Sequence, residues 1–184
     1  MGMLTGETRK LEQLAVLHRL YSDAPDASLP LLLSRVASQG ALWEALARSA
    51  QDSAALATLS TEWTTLFEGP GRIAVPLFGS VYLDHGLLMG SSTQEVLAAY
   101  AKYGLIPEGK IPADHLAFEL GFCGFLTAQG HVDALSERSD FAKRWMWSWV
   151  PAMTEALHAA SDTPFFRELA QLTLTIVQHL SQSE

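Results

Sequence analysis

Apolar positions recur at helical spacing along most of the chain. Leu11, Leu14, Leu17 and Leu20 repeat every three residues, and Pro25 follows them. Leu42, Leu46, Ala50, Ala54 and Ala57 predict a second helical stretch ending near Ser60. A shorter one is predicted over 61–67, closed by Gly69-Pro70-Gly71. Ser92-Thr93-Gln94-Glu95 reads as a capping box, in which each side chain satisfies the other residue's backbone N–H. Val96, Leu97, Tyr100 and Tyr103 give that helix apolar surface, and Gly104 suits the positive φ of a helix end.

Pro112 fits a first helical turn, and the helix it opens runs to about Ala128. That segment is apolar on nearly every side, so it is expected to be central. Ala117, Gly121 and Gly124 line up as small residues that admit a close backbone. Residues 133–160 form a long helical region that Pro151 must kink or divide. In the last helix Thr163 is the expected N-cap and Pro164 the first residue. Phe165, Leu169, Leu172, Ile176 and Leu180 make its stripe. No segment shows convincing period-two alternation between hairpin turns. The expectation is an all-α fold, a single-domain bundle of roughly seven to ten helices over residues 1–184.

One stretch breaks the pattern. GPGRIAVPLFGSVYLDHGLLMGSS, residues 69–92, is long, glycine-bearing and apolar. Loops of this length are uncommon in compact domains and are often functional when they occur. An apolar loop must be packed and its backbone polar groups paired. Either this strap only covers the helical core, or it walls an apolar groove for a ligand or peptide.

Composition narrows the class. Hydrophobic residues are 48% and charged residues 17%, which argues against disorder. The apolar clusters are too short to cross a bilayer. The opening MGMLTGETRK lacks the layout of a secretory signal. The one cysteine, Cys123, cannot form an internal disulfide and fits a reducing compartment. The net charge of -8 leaves no basic footprint for nucleic acid.

The chemistry-bearing residues are few. Asp114 and His115 are placed in the first turn of a helix, where the dipole favours a carboxylate. They read as a structural cap, as polar recognition at a groove mouth, or as half of a metal site with Asp84-His85. The metal option is weak, because adjacent residues project in different directions. Glu155 and His158 give Glu-x-x-His once, where a di-metal bundle needs it twice. Ser80 lacks the Gly-x-Ser-x-Gly elbow of a nucleophile. Gly69-Pro70-Gly71-Arg72 lacks the ending of a phosphate loop. Trp145 and Trp149 share a helical face with Trp147 nearly opposite; that pattern suits core packing on one side and an interface or dimer contact on the other.

Three motifs in order carry a family resemblance. They are Trp63-Thr64-Thr65-Leu66-Phe67-Glu68-Gly69-Pro70, then Val75-Pro76-Leu77-Phe78-Gly79-Ser80-Val81-Tyr82-Leu83-Asp84, then Pro112-Ala113-Asp114-His115. Thr163-Pro164-Phe165-Phe166-Arg167-Glu168-Leu169 closes the likeness. The chain resembles the TorD/DmsD/NarJ family of redox-enzyme maturation chaperones. The resemblance implies a cytoplasmic, all-helical chaperone without catalysis or a bound cofactor. It implies binding of the N-terminal, twin-arginine leader of a molybdenum-cofactor oxidoreductase subunit, help with cofactor loading, and delayed export. The twin-arginine translocase is an implied further partner, and the chain is expected as monomer or homodimer. The matching leader-binding positions are Trp63, Phe67, Pro76, Phe78, Ser80, Tyr82, Gly90, Asp114 and His115. Leu77, Pro112 and Trp145 depart from the family pattern, which bears on the client. No motif places a guanine nucleotide. The alternative is a helical module binding a small molecule or cofactor, with the strap closing its pocket.

Overall fold

The computed structural model describes residues 6–69, 71, 73–107 and 111–182. Pro70, Arg72 and the first five residues, on which parts of the sequence reading fall, lie outside the described residues. The helices are α1 Gly6–Ser22, α2 Leu29–Ser34, α3 Ala41–Ser49, α4 Ser53–Phe67, α5 Gly79–Leu83, α6 Ser91–Ala101, α7 Leu116–Gln129, α8 Val132–Phe141, α9 Val150–Ala160 and α10 Pro164–Gln182. Among the described residues the sole strand-like feature is an isolated antiparallel bridge, Phe78 with His115. The fold is all-α, as the periodicity predicts.

α7 is the central helix. It packs along α1 and against α8. Gly121 and Gly124 face α1: a Cβ on Gly121 would lie 3.4 Å from His18 Nδ1, and one on Gly124 3.9 Å from Leu11 Cδ1. The predicted small-residue track therefore receives α1, and His18 Nδ1 meets the Ala117 carbonyl at 2.7 Å. α10 lies against α3, α8 and α9. Its stripe of Phe165, Leu169, Leu172, Ile176 and Leu180 is buried as expected.

Several boundaries differ from the sequence reading, each for a physical reason. The break falls at 50–52 rather than near Ser60, because the Asp52 carboxylate caps α4 by accepting from the Ala55 N–H at 2.8 Å. α7 starts at Leu116, not Pro112. Residues 112–115 turn instead, and the Leu116 N–H bonds across to the Leu77 carbonyl at 2.8 Å. α6 begins at Ser91 with no capping box; the Asp84 carboxylate accepts from the Ser92 N–H and hydroxyl at 3.0 and 2.6 Å. The hydroxyl of Thr163 is buried and unpartnered, so it does not cap α10. Glu62 braces the turn that leads into it instead, its Oε1 accepting from the Asp162 and Thr163 N–H groups at 2.7 and 3.1 Å. Pro151 sits in the first turn of α9 as required. Before it, residues Ala142–Met146 form a π-helical turn, with the Trp147 N–H reaching the Ala142 carbonyl at 2.8 Å. The extra residue shifts the tryptophan register. Trp149 is buried while Trp145 and Trp147 are both half-buried, so the expected opposition of faces is lost.

Candidate functional site

The strap is held at both ends and in the middle. The Val75 N–H bonds to the Leu66 carbonyl at 2.9 Å, which ties the strap to the end of α4. Val75 and Leu77 then point into the core, and Pro76 and Phe78 between and beside them stay half-buried. This local alternation is what an extended segment gives.

Asp114 and His115 meet the strap here, and they cap two different helices. Asp114 reaches backwards to α5. Its carbonyl accepts from the Gly79 N–H at 3.0 Å, and its Oδ2 from the Ser80 N–H at 2.6 Å. His115 serves its own helix, its Nδ1 accepting from the Ala117 N–H at 3.2 Å. The expectation that both occupy a helical first turn is corrected: His115 is the N-cap of α7 and Asp114 precedes it. Asp114 is 1% exposed, so it is not at a groove mouth where an arginine would reach it.

The imidazole packs edge-on against Phe78, ring centres 5.0 Å apart, and against Phe118 at 6.0 Å. Burial lowers its pKa from 6.5 to about 4; the Asp114 charge opposes this shift and His18 adds to it. A neutral ring is also what the cap needs, since Nδ1 must stay an acceptor. The unfolded chain therefore takes up a proton below about 6.5 that the folded chain refuses until about 4. Stability from His115 is complete above that window and is lost as pH falls through it. Asparagine keeps the cap and does not titrate. Urea unfolding of wild type and His115→Asn is expected to diverge from pH 7 to pH 4, by on the order of 2 kcal/mol in the variant's favour at the acid end. Parallel curves would contradict the neutral, buried cap. Glu119 acts in the opposite sense, burial first and then the Asp114 charge raising its pKa well above 4.5. It is present in both proteins and cancels in the comparison.

Behind this junction stands Trp149. Its Nε1 donates to Glu119 Oε2 at 3.2 Å, and its ring stacks on Tyr82 with centres 5.4 Å apart. Gly79 allows the close approach: a Cβ there would lie 3.0 Å from the indole nitrogen. The Tyr82 hydroxyl donates to the Pro76 carbonyl at 3.0 Å.

The far limb of the strap, 84–90, has a fixed backbone and an apolar exterior. Ser80 is fully buried, and its Oγ accepts from the Met89 N–H at 3.2 Å. Gly86 and Leu87 donate back to the Val81 and Asp84 carbonyls, each at 3.0 Å. A Cβ on Gly90 would fall 2.2 Å from Asp84 Oδ2, so glycine there is a condition of the Asp84 cap. His85 and Met89 adopt φ of 57° and 63°, a conformation that costs non-glycine residues about 1–3 kcal/mol. On this frame Leu87, Leu88 and Met89 are 66%, 52% and 61% exposed.

The predicted site residues thus separate into groups. Ser80, Asp114 and His115 form the junction, Pro76, Phe78 and Tyr82 line its outer side, and Gly90 seats the Asp84 cap of α6. Trp63 and Phe67 belong to the core. They are 4% and 6% exposed, Trp63 Nε1 donates to the Leu20 carbonyl at 3.0 Å, and the Phe67 ring meets Trp63, Tyr21 and Phe166. Sequence reasoning missed Leu87, Leu88 and Met89 as an exposed unit. The signal was present, three large apolar residues between Gly86 and Gly90. It also missed the Trp149–Glu119 support, which joins distant helices. Among the described residues no cluster of three or more His, Cys, Asp or Glu side chains has the geometry to hold a metal ion. No helix among them is long and apolar enough to cross a membrane.

The sequence model of the nitrate reductase delta subunit family matches residues 35–155, which includes α4, the strap, the Asp114–His115 junction and α7. The chain belongs to that family. It is 29% identical over 147 residues to the chaperone protein TorD of Vibrio cholerae, covering 74% of this chain and 67% of that protein. It is 27% identical over 165 residues to the chaperone protein YcdY of Escherichia coli, covering 86% of each. A crystal structure assigned as a redox enzyme maturation protein from Archaeoglobus fulgidus superposes with a TM-score of 0.62 over 98% of each chain; at 20% identity this shows a shared fold. The relatives from this family are named as chaperones, not as catalysts, and this supports a chaperone role here rather than an enzymatic one.

Proposed function

We propose that the chain, acting as one domain over residues 1–184, is a cytoplasmic chaperone for the N-terminal leader of a molybdenum-cofactor oxidoreductase subunit. In this reading it assists cofactor loading and delays export, and the twin-arginine translocase receives the client afterwards. The observation that carries it is the 84–90 limb: three apolar side chains held in solvent by a backbone that is bonded at both ends and strained at two residues. Exposed apolar surface on so fixed a frame marks an interaction site. The apolar part of a leader would lie across Leu87, Leu88 and Met89, with Pro76, Phe78 and Tyr82 alongside. Ser80, Gly90, Asp114 and His115 act by holding that frame, and Trp63 and Phe67 by holding the core beneath. Covering three such side chains contributes at most roughly 1.5–3 kcal/mol each, so micromolar affinity, about 8 kcal/mol net, also draws on contacts with Pro76, Phe78 and Tyr82 to meet the cost of association.

The test is calorimetric titration of the chain with a synthetic twin-arginine leader peptide. Saturable micromolar binding is expected, and its absence would overturn the proposal.

A second reading rests on an apolar cleft of about 310 Å³ lined by His18, Tyr100, Leu105, Ile106, Phe118 and Phe125 among others. That volume is at the lower end for small-molecule sites. The strap does not close it, contrary to the sequence expectation. Mass spectrometry of gently denatured protein would decide this reading by a co-purified ligand.

A further inference from the structure

A second feature lies on the opposite kind of surface, polar and open, between α4 and the turn that joins α9 to α10. The groove there has a volume of about 480 Å³. Its polar lining is Thr58, Thr61, Glu62, Thr65, Asp162 and Thr163, and no lysine, arginine or histidine is among the lining residues. Three of the threonines have already used their protons. Thr58, Thr61 and Thr65 donate to the carbonyls of Ala54, Ala57 and Thr61 within α4, at 3.1, 2.9 and 3.0 Å. Their lone pairs are what remains for a ligand. Glu62 is 9% exposed, and its Oε1 is occupied by the Asp162 and Thr163 amides. Its other oxygen, Oε2, is buried with no partner. Asp162 adds an exposed carboxylate at the rim. The nearby cation, Arg167, is turned to the Asp162 carbonyl at 2.6 Å.

Apart from the Thr163 hydroxyl, which has no partner, the polar side chains of the lining have acceptors left over, with two carboxylates and no cation, and so favour a group that donates. Arginine fits that description best: five N–H donors in a planar fork, no acceptor, and a charge that desolvates more readily than an ammonium. Ala57, Leu66 and Ala160 supply apolar surface for its methylene stem. We propose that this groove binds an arginine side chain of a partner protein, the guanidinium lying between Glu62 and Asp162 over the threonine face of α4. The site is separate from the strap and does not depend on leader binding there.

The probe is arginine amide, followed by NMR through the Asp162 and Thr163 amides, whose hydrogen bonds to Glu62 report the site directly. Saturable shifts in the millimolar range are expected, with none from citrulline amide, the uncharged counterpart. Lysine amide is expected to bind at least about tenfold more weakly. Glu62→Gln keeps an acceptor for the two amides and Asp162→Asn alters only the rim, and each is expected to weaken arginine amide at least about tenfold. Should Glu62→Gln not fold, Asp162→Asn decides. No saturable shift in the wild type, equal shifts from citrulline or lysine amide, or unchanged binding in the folded variants would overturn the assignment.

Discussion

Replacing Trp63 by alanine is expected to lower the unfolding free energy by about 3–5 kcal/mol, the range for removing a large buried aromatic side chain. The indole is 4% exposed and packs edge-on against Phe67 at 5.4 Å, which in turn meets Tyr21 and Phe166. Its Nε1 also satisfies the Leu20 carbonyl. Truncation therefore leaves a cavity between α1, α4 and α10 and a buried carbonyl without its donor. Phenylalanine fills most of the space and loses only that hydrogen bond, so Trp63→Phe is expected to cost about 1–2 kcal/mol. Urea unfolding followed by far-ultraviolet circular dichroism measures both. A loss under about 1 kcal/mol for Trp63→Ala would show that the ring is not a core residue. The pair also separates folding from recognition: Trp63→Phe should take up a twin-arginine leader peptide with wild-type affinity, because the ring offers almost no surface to a partner.

The second large effect is the reverse case, recognition lost with the fold intact. The variant Leu87→Ser, Leu88→Ser, Met89→Ser removes the apolar exterior of the 84–90 limb and leaves its backbone bonds in place. Each side chain is more than half exposed, so stability should change by no more than about 0.5 kcal/mol per substitution. Leader affinity is expected to fall about a hundredfold, which corresponds to losing roughly 1 kcal/mol of apolar contact at each position. Calorimetry with the leader peptide measures the second quantity and urea unfolding the first. Unchanged affinity in a folded variant would remove the limb from the binding surface.

Helices and core were largely legible from spacing. The α10 stripe, the small-residue track on α7 and the division at Pro151 follow from period and residue size, which are local properties. The start of α10 at Pro164 was legible and that of α6 nearly so, but the groups that cap the helices were not, and those failures share a cause. Local pattern assigns the α6 cap to Ser92, yet Asp84 supplies it from eight residues earlier. It assigns the α10 cap to Thr163, yet the side-chain bonds to the turn before that helix come from Glu62, at a separation of 100 residues or more. It assigns Asp114 to α7, yet its carboxylate serves α5 across 34 residues. A charged acceptor brought in by tertiary packing makes stronger hydrogen bonds than a nearby hydroxyl, and nothing in local sequence announces it. The candidate site was legible as residue identities, because the motifs name Phe78, Ser80, Asp114 and His115. Their orientation was not. Whether a side chain faces a partner or a neighbouring helix is set by the strap's path, which periodicity does not encode.

The Glu62 clasp has a consequence for how the chain is made. During synthesis α4 leaves the ribosome 100 residues ahead of the Asp162 amide that its carboxylate receives. Until the α9–α10 turn emerges, a charge destined for the interior has no donors and must stay hydrated, which holds that side of α4 open. Arrival of the α9–α10 turn brings those donors to Glu62, so this side of α4 is covered only after that turn has formed. The clasp thus makes closure over α4 wait on a turn translated 100 residues later.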